Sequence, residues 1–171
     1  MAIPLKDSER KIICELIKNS RGSDREIAKA VGVSQPTVTR TRNRLEKERM
    51  INYVGIPDLA KMGYEIMAFM FANWKHQEYP DTRVSKAKEF IAKHPNILFV
   101  STGIGANSDR MGISVHKNYS DYAKYMTEMK TEWAELMEVT DIFVISLNSD
   151  NILRNLTFKQ LAECIRKEEP E

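Results

Sequence analysis

A run of hydrogen-bond donors and cations at helical spacing follows Ser34, and it is the part of this sequence best suited to bind an anion. Val38 and Leu45, with Thr41 between them, mark the inward face of the segment, so its polar side chains fall on the outer face or its margins. These outer side chains are Gln35, Thr37, Thr39, Arg40, Asn43 and Arg44. Amide and guanidinium groups can read base edges in the major groove of DNA. Taken alone, the pattern is equally typical of an Arg-rich helix face that is simply solvated.

Two short helices joined by a tight turn are predicted to position this face. Ser23 and Glu26 have the spacing of a capping box, in which each side chain accepts a hydrogen bond from the other's backbone. Gly32 suits the left-handed residue that ends such a helix. Ser34 then caps the second helix, and Pro36 is tolerated in its first turn. The sequence therefore predicts a helix-turn-helix whose second helix faces an anionic partner.

The distribution of charge favours nucleic acid as that partner. Residues 1–57 hold 12 Lys and Arg against 7 Asp and Glu, a net charge of +5, whereas residues 58–171 hold 14 against 17, a net charge of −3. The positive excess thus coincides with the helix-turn-helix, as an electrostatic footprint for a polyanion requires.

Composition excludes several other classes of function. No apolar run approaches the roughly 18 residues of a membrane span, and no apolar signal core opens the chain, so we expect a cytoplasmic protein with no membrane partner. Cys14 and Cys164 lie far apart without CxxC spacing, and the three histidines are scattered. We therefore expect no metal, no cofactor and no catalytic constellation.

The N-terminal part is predicted to be a winged helix-turn-helix domain over residues 1–57. Its first helix begins at about Asp7 or Ser8, a plausible cap, and ends at about Lys18, which supplies the third wall of the core. The stretch 50–57 alternates apolar residues around Gly55, which is typical of a small wing. Residues 58–63 form a hinge.

From Tyr64 the hydrophobic period changes to that of strands, and a second domain is predicted over residues 64–149. Strands are expected from Ile66 and over 97–102, 110–116 and 141–147, with a helix after the first and another after the third. The order βαββαβ is that of a ferredoxin-like domain, an antiparallel sheet with both helices on one face. The overall fold class is therefore α+β.

A helical extension is predicted over residues 150–171. An apolar stripe there contains Phe158, Leu161, Ala162 and Ile165. The extension could pack on its own subunit or exchange between subunits.

The predicted sheet leaves large side chains without cover. Its first and fourth strands are apolar on both faces, but two helices cover only one. The bare face would expose several of Met67, Phe69, Phe71, Phe143 and Ile145. Because patches of this kind are normally buried by a partner, and most oligomers are symmetric, we expect a homodimer held through this domain.

With both halves placed, the chain resembles the Lrp/AsnC (feast/famine) transcription regulators over roughly residues 5–148. The matching segments are 5–16, 25–34, 37–46 and 50–53, followed by the βαββαβ order. The resemblance implies dimers that assemble further, often to octamers, and that bind pseudo-palindromic double-stranded DNA. It also implies a small effector, typically an amino acid, bound at subunit interfaces near the loop after the second strand.

The resemblance places two sets of residues at sites. In the first, Ser34, Arg42, Arg44 and residues of the wing are expected to hold phosphates while the other outer side chains face the groove. The candidate DNA-binding residues are Ser34, Gln35, Pro36, Thr37, Thr39, Arg40, Arg42, Asn43 and Arg44. The effector loop would be residues 102–109, which is longer and richer in small polar residues than the compact Gly-x-x-Asp of the family. The candidate effector-binding residues are Thr102, Gly103, Gly105, Asn107 and Asp109.

Two alternatives stay open at this point. Siroheme decarboxylases share the two-domain plan, but they carry a loop with His, Tyr and Arg after the second strand, and residues 101–109 contain none of these. A non-specific nucleic-acid-binding architectural protein would need only the basic first domain.

Overall fold

The computed structural model describes residues 5–75, 80–150 and 152–167, with side chains except at 80–83 and 167. The chain divides into two compact units. One is formed by Met1–Ile56 together with Arg154–Glu171, and the other by Pro57–Leu153.

The first unit is built on three helices around one small core. They are α1 (Asp7–Lys18), α2 (Asp24–Val31) and α3 (Gln35–Lys47). The core contains Ile12, Leu16, Ile27, Val38 and Leu45, all buried. The capping box forms as expected, since the Ser23 backbone N–H donates to Glu26 Oε2 at 2.8 Å and the Glu26 N–H donates to Ser23 Oγ at 3.2 Å. The helix-turn-helix prediction is therefore confirmed.

Two local features of this unit differ from what the sequence predicts, although α1 has the predicted bounds. Lys6, not Asp7 or Ser8, is the residue before α1, and its backbone N–H donates to Glu9 Oε2 at 3.0 Å. Residues 51–58 form no strand, so the expected wing is not a hairpin in the structure. A two-stranded hairpin is marginal without a third strand or a helix to pack on, and Pro57 removes a backbone donor from this short segment.

The C-terminal extension belongs to the first unit. Its helix α6 (Leu161–Lys167) packs on α1 of the same chain. Ala162 and Cys14 are fully buried, and the Arg166 guanidinium lies 2.6 Å from the Glu15 carboxylate. Cys14 points away from the face of α1 that carries Ile12 and Leu16, so α6 covers a second face of α1. Packing on its own subunit was the first of the two arrangements predicted for this tail.

We expect Ala162→Asp to lower the free energy of unfolding by about 1–3 kcal/mol, because a carboxylate would enter an apolar contact without a partner. The cost is bounded, since a helix of only seven residues can detach from α1. Urea unfolding followed by helical circular dichroism measures it. Cys164→Asp is the matched control, because Cys164 is exposed on the same helix; equal effects of the two variants would contradict this packing.

The second unit has the ferredoxin-like architecture predicted from the sequence. Its elements are β1 (Ile66–Trp74), α4 (Pro80–Lys93), β2 (Ile97–Gly105), β3 (Ser108–His116), α5 (Tyr119–Trp133) and β4 (Met137–Ser146). The strand order is β2-β3-β1-β4, and every pair is antiparallel. A core on one face of the sheet contains Phe90 from α4 and Tyr125, Met129 and Trp133 from α5.

The prediction of a loop over residues 102–109 is wrong. Strand β2 continues to Gly105 and β3 begins at Ser108, so only Ala106 and Asn107 form the turn. Both have positive φ, 49° and 53°, as two-residue hairpin turns that follow the strand twist require. Strand β4 also begins earlier than predicted, at Met137, and a bulge at Thr140 shifts its pairing with β1.

The other face of the sheet carries large apolar side chains. Phe69 pairs directly with Phe143 and Ile113, and Phe71 pairs with Met111, so these five side chains share a face. The Phe69 and Phe143 rings meet edge to face at 6.5 Å. Phe143 is 63% exposed in the single chain, as predicted for a sheet face that no helix covers.

A buried histidine lies at the end of β3. His116 is fully buried, its Nε2 is 2.9 Å from Ser114 Oγ, and its Nδ1 is 3.9 Å from an Asp121 carboxylate oxygen. Burial lowers the pKa of His116 below its ordinary 6.5, and the Asp121 charge offsets this only in part. The fold therefore favours the neutral imidazole.

This histidine should make the second unit less stable in mild acid. Below about pH 6.5 the unfolded chain takes up a proton that the folded state resists, so the contribution of His116 is present above that pH and is lost as the pH falls toward the lower folded-state pKa. Urea unfolding followed by tryptophan fluorescence at pH 7.5 and 5.5 tests this. The pH dependence should be smaller in His116→Gln; an unchanged dependence would contradict the assignment.

Candidate nucleic-acid interface

Helix α3 is held with one face buried and the other open. Ser34 caps it, with its Oγ accepting a hydrogen bond from the Thr37 backbone N–H at 3.3 Å. Val38, Thr41 and Leu45 are buried, as predicted. Since these residues repeat at three to four positions, the remaining side chains are forced to the opposite side of the helix.

The open side of α3 brings together most of the predicted contact residues. A shallow depression at the surface is lined by Gln35, Pro36, Thr39, Arg40 and Asn43. All five are exposed, and they present two amides, a hydroxyl and a guanidinium on one surface. The Thr39 hydroxyl donates to Asp24 Oδ2 at 2.6 Å, so its proton is engaged within the unit. Arg40 makes no ion pair within the part of the chain that the structure describes.

Arg42 and Arg44 lie differently from Arg40. The Arg42 guanidinium contacts the Asp24 carboxylate at 3.1 Å and donates to the Gly22 carbonyl at 2.8 Å. Arg44 lies 2.9 Å from the Glu9 carboxylate and 3.7 Å from that of Glu48. Both side chains are partly buried and join α3 to the neighbouring elements. Their contact with phosphates stays a prediction, and any such contact would compete with these carboxylates.

Further cations of the first unit lie outside the predicted set. They are exposed on α2, on the loop before it and at the end of α3: Arg21, Arg25, Lys29, Lys47 and Arg49. The spacing of residues within α3 could not predict Arg21, Arg25 and Lys29, because all three lie outside that helix. The net charge of +5 over residues 1–57 did indicate an electropositive unit.

The predicted effector residues lie at the tip of the β2–β3 hairpin rather than in a loop. Thr102, Gly103, Gly105 and Asn107 are exposed there, and Asp109 is half-buried. Asn73, at the end of β1, fixes the tip: its Nδ2 donates to the Asn107 carbonyl at 2.9 Å, and its Oδ1 accepts from the Asp109 N–H at 2.8 Å. Asn73 was not among the residues predicted for this site, although an amide side chain in an apolar strand is an identifiable signal.

In residues 5–75, 80–150 and 152–167, no three His, Cys, Asp or Glu side chains are grouped so that they could hold a metal ion. Over the same residues, no helix has the length and apolar character needed to span a membrane.

Sequence comparisons show what the first unit is similar to. A family profile described as winged helix-turn-helix DNA-binding matches residues 5–52. The HTH-type transcriptional regulator FL11 of Pyrococcus horikoshii is 29% identical over 101 residues, which cover 58% of this chain and 64% of that protein. The chain thus matches less than two thirds of that relative. The leucine-responsive regulatory protein of Rhizobium meliloti is 24% identical over 161 residues, covering 94% of this chain and 93% of that protein.

Solved structures share the fold of the whole chain. An AsnC family transcriptional regulator from Agrobacterium tumefaciens aligns with a TM-score of 0.69 at 17% identity, covering 92% of this chain and 99% of that one. The transcriptional regulator NMB0573 of Neisseria meningitidis, solved as a complex with L-Met, aligns with a TM-score of 0.70 at 16% identity and with the same coverage. The alignments extend over both units, so the combination of domains is shared and not only the helix-turn-helix.

Proposed function

We propose that this chain, which is of the Lrp/AsnC type in its sequence and fold, is a transcriptional regulator that binds specific double-stranded DNA sequences as a homodimer in the cytoplasm. The observation that supports this best is the open face of α3. Gln35, Arg40 and Asn43 lie together there, opposite the buried Val38 and Leu45. Neither the decarboxylase nor the architectural alternative has a comparable observation in its favour.

In this proposal α3 lies in the major groove. The Gln35 and Asn43 amides can each make paired hydrogen bonds to an adenine, and the Arg40 guanidinium can do so to a guanine. Ser34 and Thr37, at the N-terminus of the helix, are placed where backbone N–H groups and the helix dipole favour a phosphate. The bases would specify the sequence, and the phosphates would fix the position of the helix on the duplex.

A second copy of the chain completes the site. The sheet face around Phe69 and Phe143 also carries Phe71, Met111 and Ile113, and a second copy would bury these side chains by the simplest symmetric arrangement. The two α3 helices would then read half-sites separated by about one helical turn, roughly 10 bp, or a multiple. Assembly of such dimers to octamers is part of the same proposal.

We also propose an amino acid or another small molecule as effector, bound at the β2–β3 hairpin. The L-Met complex of the Neisseria protein shows such a ligand in the same fold. The candidate groups here are Thr102, Gly103, Gly105, Asn107 and Asp109, held in place by Asn73. A ligand regulates only through different affinities for two states, for instance dimer and octamer. Calorimetric titration with each standard amino acid, with and without Asn73→Ala, tests this site.

Selection of bound fragments from the source genome, followed by footprinting, tests the function. The expected result is a shared pseudo-palindromic sequence protected over two half-sites. Uniform protection without a common sequence would support the architectural alternative instead. Tight binding of a tetrapyrrole in an absorbance titration, with no DNA binding, would support the enzyme.

DNA affinity should depend steeply on salt. If about six phosphates per dimer are neutralised, the logarithm of the binding constant should fall with the logarithm of salt concentration at a slope on the order of −5. Fluorescence anisotropy of a labelled duplex between about 50 and 300 mM salt, a range over which counterion release is measurable, gives the slope. A flat response would contradict the proposed surface.

A further inference from the structure

The second unit contains a large cavity between its sheet and its two helices. Its volume is about 470 Å³, within the range of about 300–1,000 Å³ that is typical of small-molecule sites. Val84 on α4 and Val100 on β2 line it while remaining about half exposed, at 51% and 46%. The cavity therefore opens to solvent between α4 and β2, on the face of the sheet opposite to Phe69 and Phe143.

The walls of this cavity are aromatic and thioether groups. Trp74 and Trp133 lie against each other with ring centroids 5.8 Å apart, and Phe90 meets Trp133 edge to face at 5.6 Å. Met70 and Met129 complete this part of the lining. Rings favour a planar apolar guest through stacked and edge-to-face contacts, and methionine side chains adapt to its outline.

The charged groups of the lining are both cations. Lys88 and Arg110 line the cavity, and none of the described residues around it is Asp or Glu. Arg110 stacks with its guanidinium carbon 5.3 Å from the Trp74 ring centre. Its Nη1 donates to the Asp109 carbonyl at 2.8 Å, whereas the Asp109 carboxylate is 3.8 Å away. Its remaining N–H groups are therefore able to hold another carboxylate.

The lining also contains the indole N–H of Trp133. Trp133 is 4% exposed, and its Nε1–H finds no acceptor among the described residues. Buried donors are nearly always paired, so this one points to an acceptor supplied by a guest. The neighbouring hydroxyl of Ser114 is already engaged with His116 at 2.9 Å.

We propose that this cavity binds a small aromatic carboxylate, with its ring system against the wall formed by Trp74, Phe90 and Trp133 and its carboxylate toward Arg110 and Lys88. This site lies within one subunit and is separate from the effector residues proposed at the hairpin, except for Thr102, which borders both. It does not depend on DNA binding, and its test is made without DNA.

The test uses 4-biphenylacetate as the probe. The chain has two tryptophans, and both line the cavity, so tryptophan emission excited at 295 nm reports occupancy directly. We expect saturable quenching with one probe per chain, confirmed by calorimetry. The uncharged 4-biphenylacetamide should bind at least about tenfold more weakly, because a neutral amide accepts weaker hydrogen bonds from Arg110 and Lys88 than a carboxylate does.

Matched variants locate the site. Ala87→Phe, which fills the cavity from α4, should weaken the probe at least about tenfold through lost volume, whereas Ala92→Phe, exposed on the same helix outside the lining, should leave it unchanged. Lys88→Gln should weaken the carboxylate but not the amide, and Lys93→Gln should affect neither. Lys88 is exposed, so its variant should fold normally.

Three results would overturn the proposal: no saturable quenching, equal affinity for carboxylate and amide, or equal effects of Ala87→Phe and Ala92→Phe. A probe that binds the sheet face around Phe69 and Phe143 instead would be displaced by dimerisation, and its affinity would not change in Ala87→Phe. That result would also contradict the proposal. If DNA binding fails while these titrations succeed, the proposed function is wrong and the cavity assignment stands.

Discussion

Replacing Arg40 and Asn43 together by alanine is expected to reduce affinity for the selected duplex about 100-fold or more, since each paired base contact contributes about 1–3 kcal/mol and a dimer makes each contact twice. Both side chains are exposed on the open side of α3, so the free energy of unfolding should not change. Anisotropy titration of a labelled operator, together with thermal unfolding, measures both quantities.

The single variants Arg40→Ala and Asn43→Ala, together with the salt dependence of binding, distinguish base contacts from phosphate contacts. If Arg40 contacts a base, Arg40→Ala relaxes specificity at one position and leaves the slope nearly unchanged; if it contacts a phosphate, affinity falls for all sequences and the slope shrinks by about one unit per contact. Arg154→Ala is the control, because Arg154 is an exposed cation of the same unit outside α3. An unchanged affinity in the double variant would place DNA recognition elsewhere.

The sequence was sufficient to predict the faces of α3 but not the partners of its arginines. A helical period follows from local spacing, and Val38, Thr41 and Leu45 are buried as that spacing predicts. The ion pairs of Arg42 and Arg44 depend on Asp24 and Glu9, which lie on other helices. Periodicity within α3 contains no information about those carboxylates.

The hairpin shows a different limit. The sequence predicts a loop that contains Gly103 and Gly105, yet both lie in β2 and pairing resumes at Gly105 with Ser108. The two residues that do turn, Ala106 and Asn107, carry a weaker local signal. The hydrogen bond from Asn73 to the Asn107 carbonyl joins residues 34 positions apart. It forms only when the sheet is assembled, so local sequence could not predict it.

The packing of α6 is a third case. An apolar stripe predicts that one face of a helix is buried, and Ala162 is buried. The stripe does not indicate which surface packs against that face. That surface is α1, more than 140 residues earlier, where the ion pair between Arg166 and Glu15 spans 151 positions. The chain therefore leaves the first unit, forms the second and returns to the first. Two covalent connections therefore join the first unit to the second.

Phe143→Lys is expected to raise the dimer dissociation constant about 100-fold or more, because an ammonium group placed in an apolar interface loses its hydration without gaining a partner. The single chain should tolerate this change, since Phe143 is 63% exposed before any partner binds. DNA affinity should fall in parallel, because a monomer reaches one half-site at a time. Sedimentation velocity across a dilution series measures the first effect, and anisotropy with the operator measures the second.

Val144→Lys is the control that makes this result specific to one face of the sheet. Val144 follows Phe143 on β4, is 45% exposed, and pairs with Ala68 on the side that carries the helices. The Val144→Lys variant adds the same charge one residue away but leaves the Phe69–Phe143 face intact. Its dimerisation and DNA affinity should therefore stay near those of the unmodified chain. If the two variants dissociate equally, the interface is not this face; if the unmodified chain is monomeric at micromolar concentration, the proposed homodimer is wrong. Dissociation by Phe143→Lys alone, with loss of protection at both half-sites, would show that the apolar sheet face holds the two recognition helices at their spacing on DNA.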